Sequence, residues 1–331
     1  MNTGLRITAY AAAVAATFGA AYGVGMGVGP LGADAPPTAH AGHGTADKAK
    51  ESAGGKAGAA AAPGGLQISE GGYTLALETP RVDVGDRTQL RFSIKDGSGR
   101  KVTAYERAHD KELHFIVASR DLTVFRHLHP TRAADGTWST TTDLPAAGGY
   151  RAFADFKPAK QGAGALTLGA DLAVSGAYNP AALPAVARTA EVDGYQVTLA
   201  GGLNPGKSGE LQLKVAKDGK PVTDLQPYLG AYGHLVALRS GDLAYLHVHP
   251  NGAPGDGATK PGPGISFTAT APSTGTYRLF LDFQHNGKVR TAAFTVEAGK
   301  GADADKGADK GEGSTTPPTG QPVEEAPGHK H

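Results

Sequence analysis

The side chains best suited to chemistry are histidines, and they stand in a repeated pattern. "AYLHVHP" carries His247 and His249 one residue apart, and "VFRHLHP" carries His127 and His129 at the same spacing. Next-but-one residues on a strand share a face and lie about 7 Å apart at Cα. Two imidazoles so placed can converge on one ion through metal–nitrogen bonds of ~2 Å. Upstream of each pair stands a third histidine, His234 in "GHLVALRSGDLAYLHVHP" and His114 in "ELHFIVASRDLTVFRHLHP". The turns at "RSGD" and "SRDL" read as hairpins that fold His234 and His114 back beside their pairs. Pro250 ends the strand just beyond His249, which puts the pair close to a loop and to solvent.

Asp282 is the natural fourth member. In "YRLFLDFQH", Leu279, Leu281 and Phe283 alternate with Phe280 and Asp282, so the carboxylate points away from the core of its own domain, and Asp155 repeats this in "YRAFADF". Either aspartate can complete a three-His, one-Asp site, or accept a hydrogen bond from an imidazole and fix its tautomer. The bland alternative is that histidines at strand ends tie loops or domains together by hydrogen bonds, with the aspartates as satisfied buried acceptors. For one H-x-H that reading comes first. For a duplicated set of three histidines and an aspartate, the balance shifts to a divalent metal. The expected ligands are His234, His247, His249 and Asp282 in one set and His114, His127, His129 and Asp155 in the other. His285 and His109 each occur in one set alone and are accessory candidates.

Ligand chemistry narrows the ion. Cysteine is absent, and the two methionines, Met1 and Met26, lie in the N-terminal leader. Only nitrogen and oxygen donors remain, which suits Cu(II) or Zn(II) and argues against tight Cu(I) chelation.

Two homologous segments position these residues. His114, His127 and His129 recur as His234, His247 and His249 at a constant offset of 120, and Tyr150 and Asp155 recur as Tyr277 and Asp282 at an offset of 127. An insertion around "NGAPGDGATKPGPG" accounts for the change. Short alternating runs rich in Val, Leu, Phe, Tyr and Thr are punctuated by Asp-Gly, Gly-Lys and Pro-Gly, and nothing reads as a long amphipathic helix. The pattern predicts an all-β chain of two tandem antiparallel β-sandwiches, immunoglobulin-like or cupredoxin-like, over 66–174 and 191–298. A Pro/Ala linker over 175–190 joins them.

The flanks are of another kind. Residues 1–32 form an Ala/Gly/Val-rich run behind Arg6, read as a signal peptide or a membrane anchor. Residues 33–65 and 299–331 hold too little apolar surface to fold and read as a disordered tether and tail; His329 and His331 close the chain. The remainder is expected at the cell membrane on a single N-terminal anchor, facing outward, or secreted. A net charge of +1, with basic residues scattered and not interleaved with aromatics, excludes nucleic acid as a natural partner and leaves a metal ion or a cell-envelope protein. No G-x-S-x-G elbow, phosphate loop or H-E-x-x-H motif stands in the folded part, so no enzymatic activity is expected.

The phrases "PYLGAYGHLVALRSGDLAYLHVHP" and "YRLFLDFQHNGKVRTAAFTV", together with the leader, resemble a group of membrane-anchored extracytoplasmic actinobacterial proteins with predicted heavy-metal, chiefly copper, handling. The likeness covers residues 66 to 297. It implies an extracytoplasmic copper-associated binding protein whose site would rest on His234, His247, His249, Asp282 and their counterparts. The expected function is therefore buffering, delivery or sensing of a divalent metal; the alternative is a tethered, non-catalytic interaction module with structural histidines.

Overall fold

The alternating runs become strands, and their parity decides which residues meet. The structure, a computed structural model, describes residues 63–246 and 248–299, with only the backbone of His249. The leader, the tail with His329 and His331, His247 and nearly all of the tether lie outside the described residues. Among the described residues no helix is long and apolar enough to cross a membrane.

Repeat 1 folds as β1 (Ser69–Glu70), β2 (Tyr73–Leu77), β3 (Arg81–Asp83), β4 (Gly85–Lys95), β5 (Tyr105–Glu106), β6 (Leu113–Ser119), β7 (Phe125–Leu128), β8 (Thr131–Arg132), β9 (Thr137–Leu144), β10 (Gly148–Pro158) and β11 (Leu166–Ser175). An outer sheet in the order β1-β2-β4-β9-β8 packs on an inner sheet in the order β3-β11-β10-β6-β7. Repeat 2 comprises β12 (Thr189–Val192), β13 (Tyr195–Gly201), β14 (Ser208–Lys217), β15 (Lys220–Pro221), β16 (His234–Arg239), β17 (Tyr245–Leu246), β18 (Val248–Pro250), β19 (Gly264–Thr270), β20 (Gly275–His285) and β21 (Lys288–Ala298). Its sheets run β12-β13-β14-β19-β18 and β17-β16-β20-β21. Both repeats are immunoglobulin-like sandwiches. Each has the tyrosine corner of that architecture: the Tyr150 hydroxyl donates to the Ala146 carbonyl at 2.7 Å, and the Tyr277 hydroxyl to the Ser273 carbonyl at 3.0 Å.

Each sandwich has its own core. Phe92, Phe115 and Trp138 stack at the centre of repeat 1, and Tyr195, Phe267, Phe283 and Phe294 are buried in repeat 2. Burial of one such side chain contributes about 1.5–3 kcal/mol. A third apolar cluster joins Ile116, Phe125 and Phe153 to Val236, Tyr245 and Phe280, so the inner sheets of the two repeats meet back to back. Every residue of β6 is therefore buried. Leu113, Phe115 and Val117 face its own core, while Ile116 and Ala118 face repeat 2.

Residues 64 and 65, which composition assigns to the tether, cross this junction. The Tyr245 amide donates to the Gly64 carbonyl at 2.9 Å, and the Gly65 amide donates to the Thr167 carbonyl at 2.7 Å. Gly65 has φ +74°, and a Cβ there would lie 2.5 Å from the Phe153 ring, so close approach requires glycine. Arg151 holds the strap by donating to the carbonyls of Gly65 and Leu66 at 2.7 and 2.8 Å.

Candidate metal centre

His114 follows Leu113 at the start of β6, and strand alternation sets it on the inter-repeat face with Ile116 and Ala118. The hairpin is formed: Ile116 lies opposite His127 on β7. The H-x-H segment, however, is not one continuous strand. β7 ends at Leu128, and after Pro130 the chain continues as β8, paired with β9 of the other sheet. The segment thus changes sheets at His129, since Pro130 has no N–H to extend the ladder. His127 and His129 turn toward each other, with ring centroids 4.9 Å apart. The same change of sheet occurs between β17 and β18 in repeat 2, where the His249 backbone lies opposite Thr268.

Within the cluster, His114 Nδ1 stands 3.1 Å from His127 Nε2, and ligand nitrogens of His114, His127 and His129 all fall within 4.8 Å of one another. The outward nitrogens are committed. His114 Nε2 faces the Ala108 carbonyl at 3.2 Å, which can only accept, so Nε2 carries a proton. His127 Nδ1 faces Asp282 Oδ2 at 2.7 Å and donates to the carboxylate. The two inward nitrogens, 3.1 Å apart, are within hydrogen-bonding distance of each other. His129 Nε2 is buried with no hydrogen-bond partner. Burial pushes both His114 and His129 down to about 3, so both rings are neutral near neutral pH.

The aspartate belongs to the opposite repeat from the one parity within a single domain led us to expect. Phe280 and Asp282 do leave their own core, but the face they occupy is the junction, and Asp282 engages His127 of repeat 1. Thr291 Oγ1 donates to Asp282 Oδ1 at 2.5 Å, fixing the carboxylate. Asp282 also lies opposite His234 across β16 and β20, as Asp155 lies opposite His114 across β6 and β10, so among the described residues the carboxylate of repeat 2 joins histidines of both repeats. Next to these histidines is a cavity of about 40 Å³, lined by His109, His114, His127 and Asp155 of repeat 1 and by His234 and Tyr245 of repeat 2. That is room for a water-sized guest.

Repeat 2 contributes differently. His234 Nε2 donates to the Tyr228 and Leu229 carbonyls at 3.1 Å each, the counterpart of the His114–Ala108 bond, and burial pushes His234 down to about 4. Its ring centroid is 6.2 Å from those of His114 and His127. His109 reaches across to within 5.1 Å of His234. His285 is elsewhere: Nδ1 accepts from the Tyr195 hydroxyl at 2.7 Å and Nε2 faces Asp224 at 3.0 Å, a structural pairing. His247 and the His249 side chain lie outside the described residues. Tyr228 was not anticipated; its ring meets those of His129 and His234 edge-on at 6.0 Å. Burial and the Asp282 charge push its hydroxyl up to about 12, so it stays protonated. The one sequence signal for it is that tyrosine replaces Ala108 at the position that caps the first histidine.

Residues 67–167 and 190–300 match the family described as a domain of unknown function, DUF8832. The chain belongs to this family. As a DUF8832 protein it carries two copies of the domain, each of which contains one set of the repeated histidines. No curated protein matches it. Solved structures similar to it include the Escherichia coli adhesin FdeC, at 15% identity over 70% of this chain and 65% of that one, with a TM-score of 0.22. The Yersinia pseudotuberculosis adhesin InvE matches at 13% identity over 70% and 60%, with a TM-score of 0.21. A tetra-tandem repeat of a large adhesion protein matches at 16% identity over 68% and 48%, with a TM-score of 0.23. The DUF8832 chain spans less than two thirds of the length of either adhesin. At these TM-scores the likenesses say nothing of function, and neither the family description nor these descriptions mention copper or any other metal.

Proposed function

We propose that the protein binds one divalent transition-metal ion, Zn(II) or Cu(II), through His114 Nδ1, His127 Nε2 and His129 Nε2, and acts in metal buffering, delivery or sensing rather than catalysis. The observation that carries this reading is the 3.1 Å separation of two inward nitrogens whose ring partners are both committed as donors. Nitrogens ~2.0–2.1 Å from one ion and 3.1 Å apart subtend roughly 100°, between tetrahedral and square-planar values. His129 offers a third nitrogen within 4.8 Å of the other two. The hydrogen bonds to Ala108 and Asp282 are those that orient metal-bound imidazoles and raise their basicity. An imidazole-only donor set favours Zn(II) and Cu(II) over softer ions. The leader supports a location outside the cytoplasm.

A second reading has an observation of its own. The His127–Asp282 contact pins the repeats together without any ion, as expected of a non-catalytic interaction module with structural histidines. Untagged protein carrying His329→Ala and His331→Ala separates the two. The metal reading expects Zn(II) or Cu(II) at about one hundred times Kd to raise stability by about 2.7 kcal/mol, an effect lost in the His114→Ala, His129→Ala double variant. Identical melting curves with and without both ions would leave the structural reading standing.

A further inference from the structure

We infer that an ion at the His114, His127, His129 centre acts as a clasp between the two repeats, with Asp282 of repeat 2 as the positioning residue that couples metal affinity to repeat docking. This rests on the metal reading above. All three ligands belong to repeat 1, while the group that orients one of them comes from repeat 2. Asp282 is 2% exposed, with one carboxylate oxygen on His127 Nδ1 and the other on the Thr291 hydroxyl. Tyr228, also from repeat 2, closes against the His129 ring.

The junction that delivers these groups is smaller than either core. Beside the polar cluster it consists of one apolar patch, centred on the Phe125–Phe280 stack with centroids 4.0 Å apart. The chain between the repeats, 176–188, is irregular and mostly exposed, so docking depends on this junction and on the strap at Gly64. Separation of the repeats would remove the carboxylate from His127 and leave Asp282 without its imidazole. Loss of such an orienting carboxylate typically costs 10–100-fold in metal affinity. Linkage is reciprocal, so bound metal must favour the docked arrangement by the same factor.

The test is hydrogen–deuterium exchange on the full chain with and without Zn(II), alongside a Zn(II) affinity measurement. In the unmodified protein, Zn(II) is expected to slow exchange in β6 and also in β16 and β20, which hold no ligand of the centre. Asp282→Asn is expected to bind Zn(II) at least tenfold more weakly and to lose the protection in repeat 2. Thr291→Val, which releases one carboxylate oxygen and is remote from the ligands, is expected to move both readouts in the same direction by less, and decides the matter if Asp282→Asn fails to fold. Unchanged affinity in the variants, or protection confined to repeat 1, overturns the clasp while leaving the metal site intact. A wild-type chain that binds no Zn(II) or Cu(II) overturns the metal reading and the clasp together.

Discussion

Repeats 1 and 2 share a fold, a tyrosine corner and a histidine at the start of the inner strand, yet they treat two equivalent arginines in opposite ways. Arg151 donates to the carbonyls of Gly65, Leu66 and Gly169 and pairs with Asp171. Arg278, at the same place in repeat 2, donates to Thr295 Oγ1 while its Nε is buried without a partner, and burial pulls its pKa down. The loop before the first histidine diverges as well. Ala108 and His109 of repeat 1 correspond to Tyr228 and Leu229 of repeat 2, and His109 and Leu229 share a left-handed backbone at φ 50° and 53°. The backbone conformation survives duplication while the side chains specialise. Equal sequence patterns therefore do not make equal side-chain environments.

The comparison can be probed from its strongest consequence downward. Acid should act first and most. His114, His129 and His234 are held at about 3, 3 and 4, below the ~6.5 of an unfolded histidine, so in this range the unfolded chain takes up protons that the folded one refuses. Stability is then full above pH ~6.5 and erodes as pH falls toward 4. Urea titrations across that range are expected to show it, and a flat profile would mean that the cluster is open to water.

Next comes the junction. Phe125–Phe280 and Tyr245–Phe153 are equivalent pairs, but the first stacks at 4.0 Å and the second is tilted at 5.8 Å. Phe280→Ala is expected to cost about 3–5 kcal/mol in equilibrium unfolding. A cost below about 1 kcal/mol would show that the repeats do not dock through this face.

The arginines give the smallest and most diagnostic contrast. Arg151→Met should cost about 2–4 kcal/mol, because it strips a charged donor from two buried carbonyls and a half-buried one. Arg278→Met should stay within about 1 kcal/mol or even stabilise, since it removes an incompletely paired buried cation. Equal costs would remove the asymmetry between the repeats.

Much of this was legible in one dimension. The offset of 120, the alternation of Leu279, Leu281 and Phe283 against Phe280 and Asp282, and the hairpins behind His114 and His234 are local facts, and the strands obey them. The duplicated sandwich followed from punctuation and period. The partner of Asp282 did not. Parity states that a residue leaves its own core, but it is silent on what covers the face where it emerges. Tyr228 escaped for the same reason: next to Leu229 it reads as an ordinary loop aromatic, and only the docking of repeat 2 sets it against His129.

The residue types alone restrict any ion here to nitrogen and oxygen donors and put three histidines on one end of a hairpin, because side-chain chemistry and strand period are properties of the chain itself. That His114, His127 and His129 of repeat 1 gather against a carboxylate from repeat 2 depends on two sheets meeting back to back. The residues concerned, His127 and Asp282, are 155 positions apart. No local period reaches that far, and their contact is set by the apolar face that Ile116, Phe125 and Phe280 must bury together.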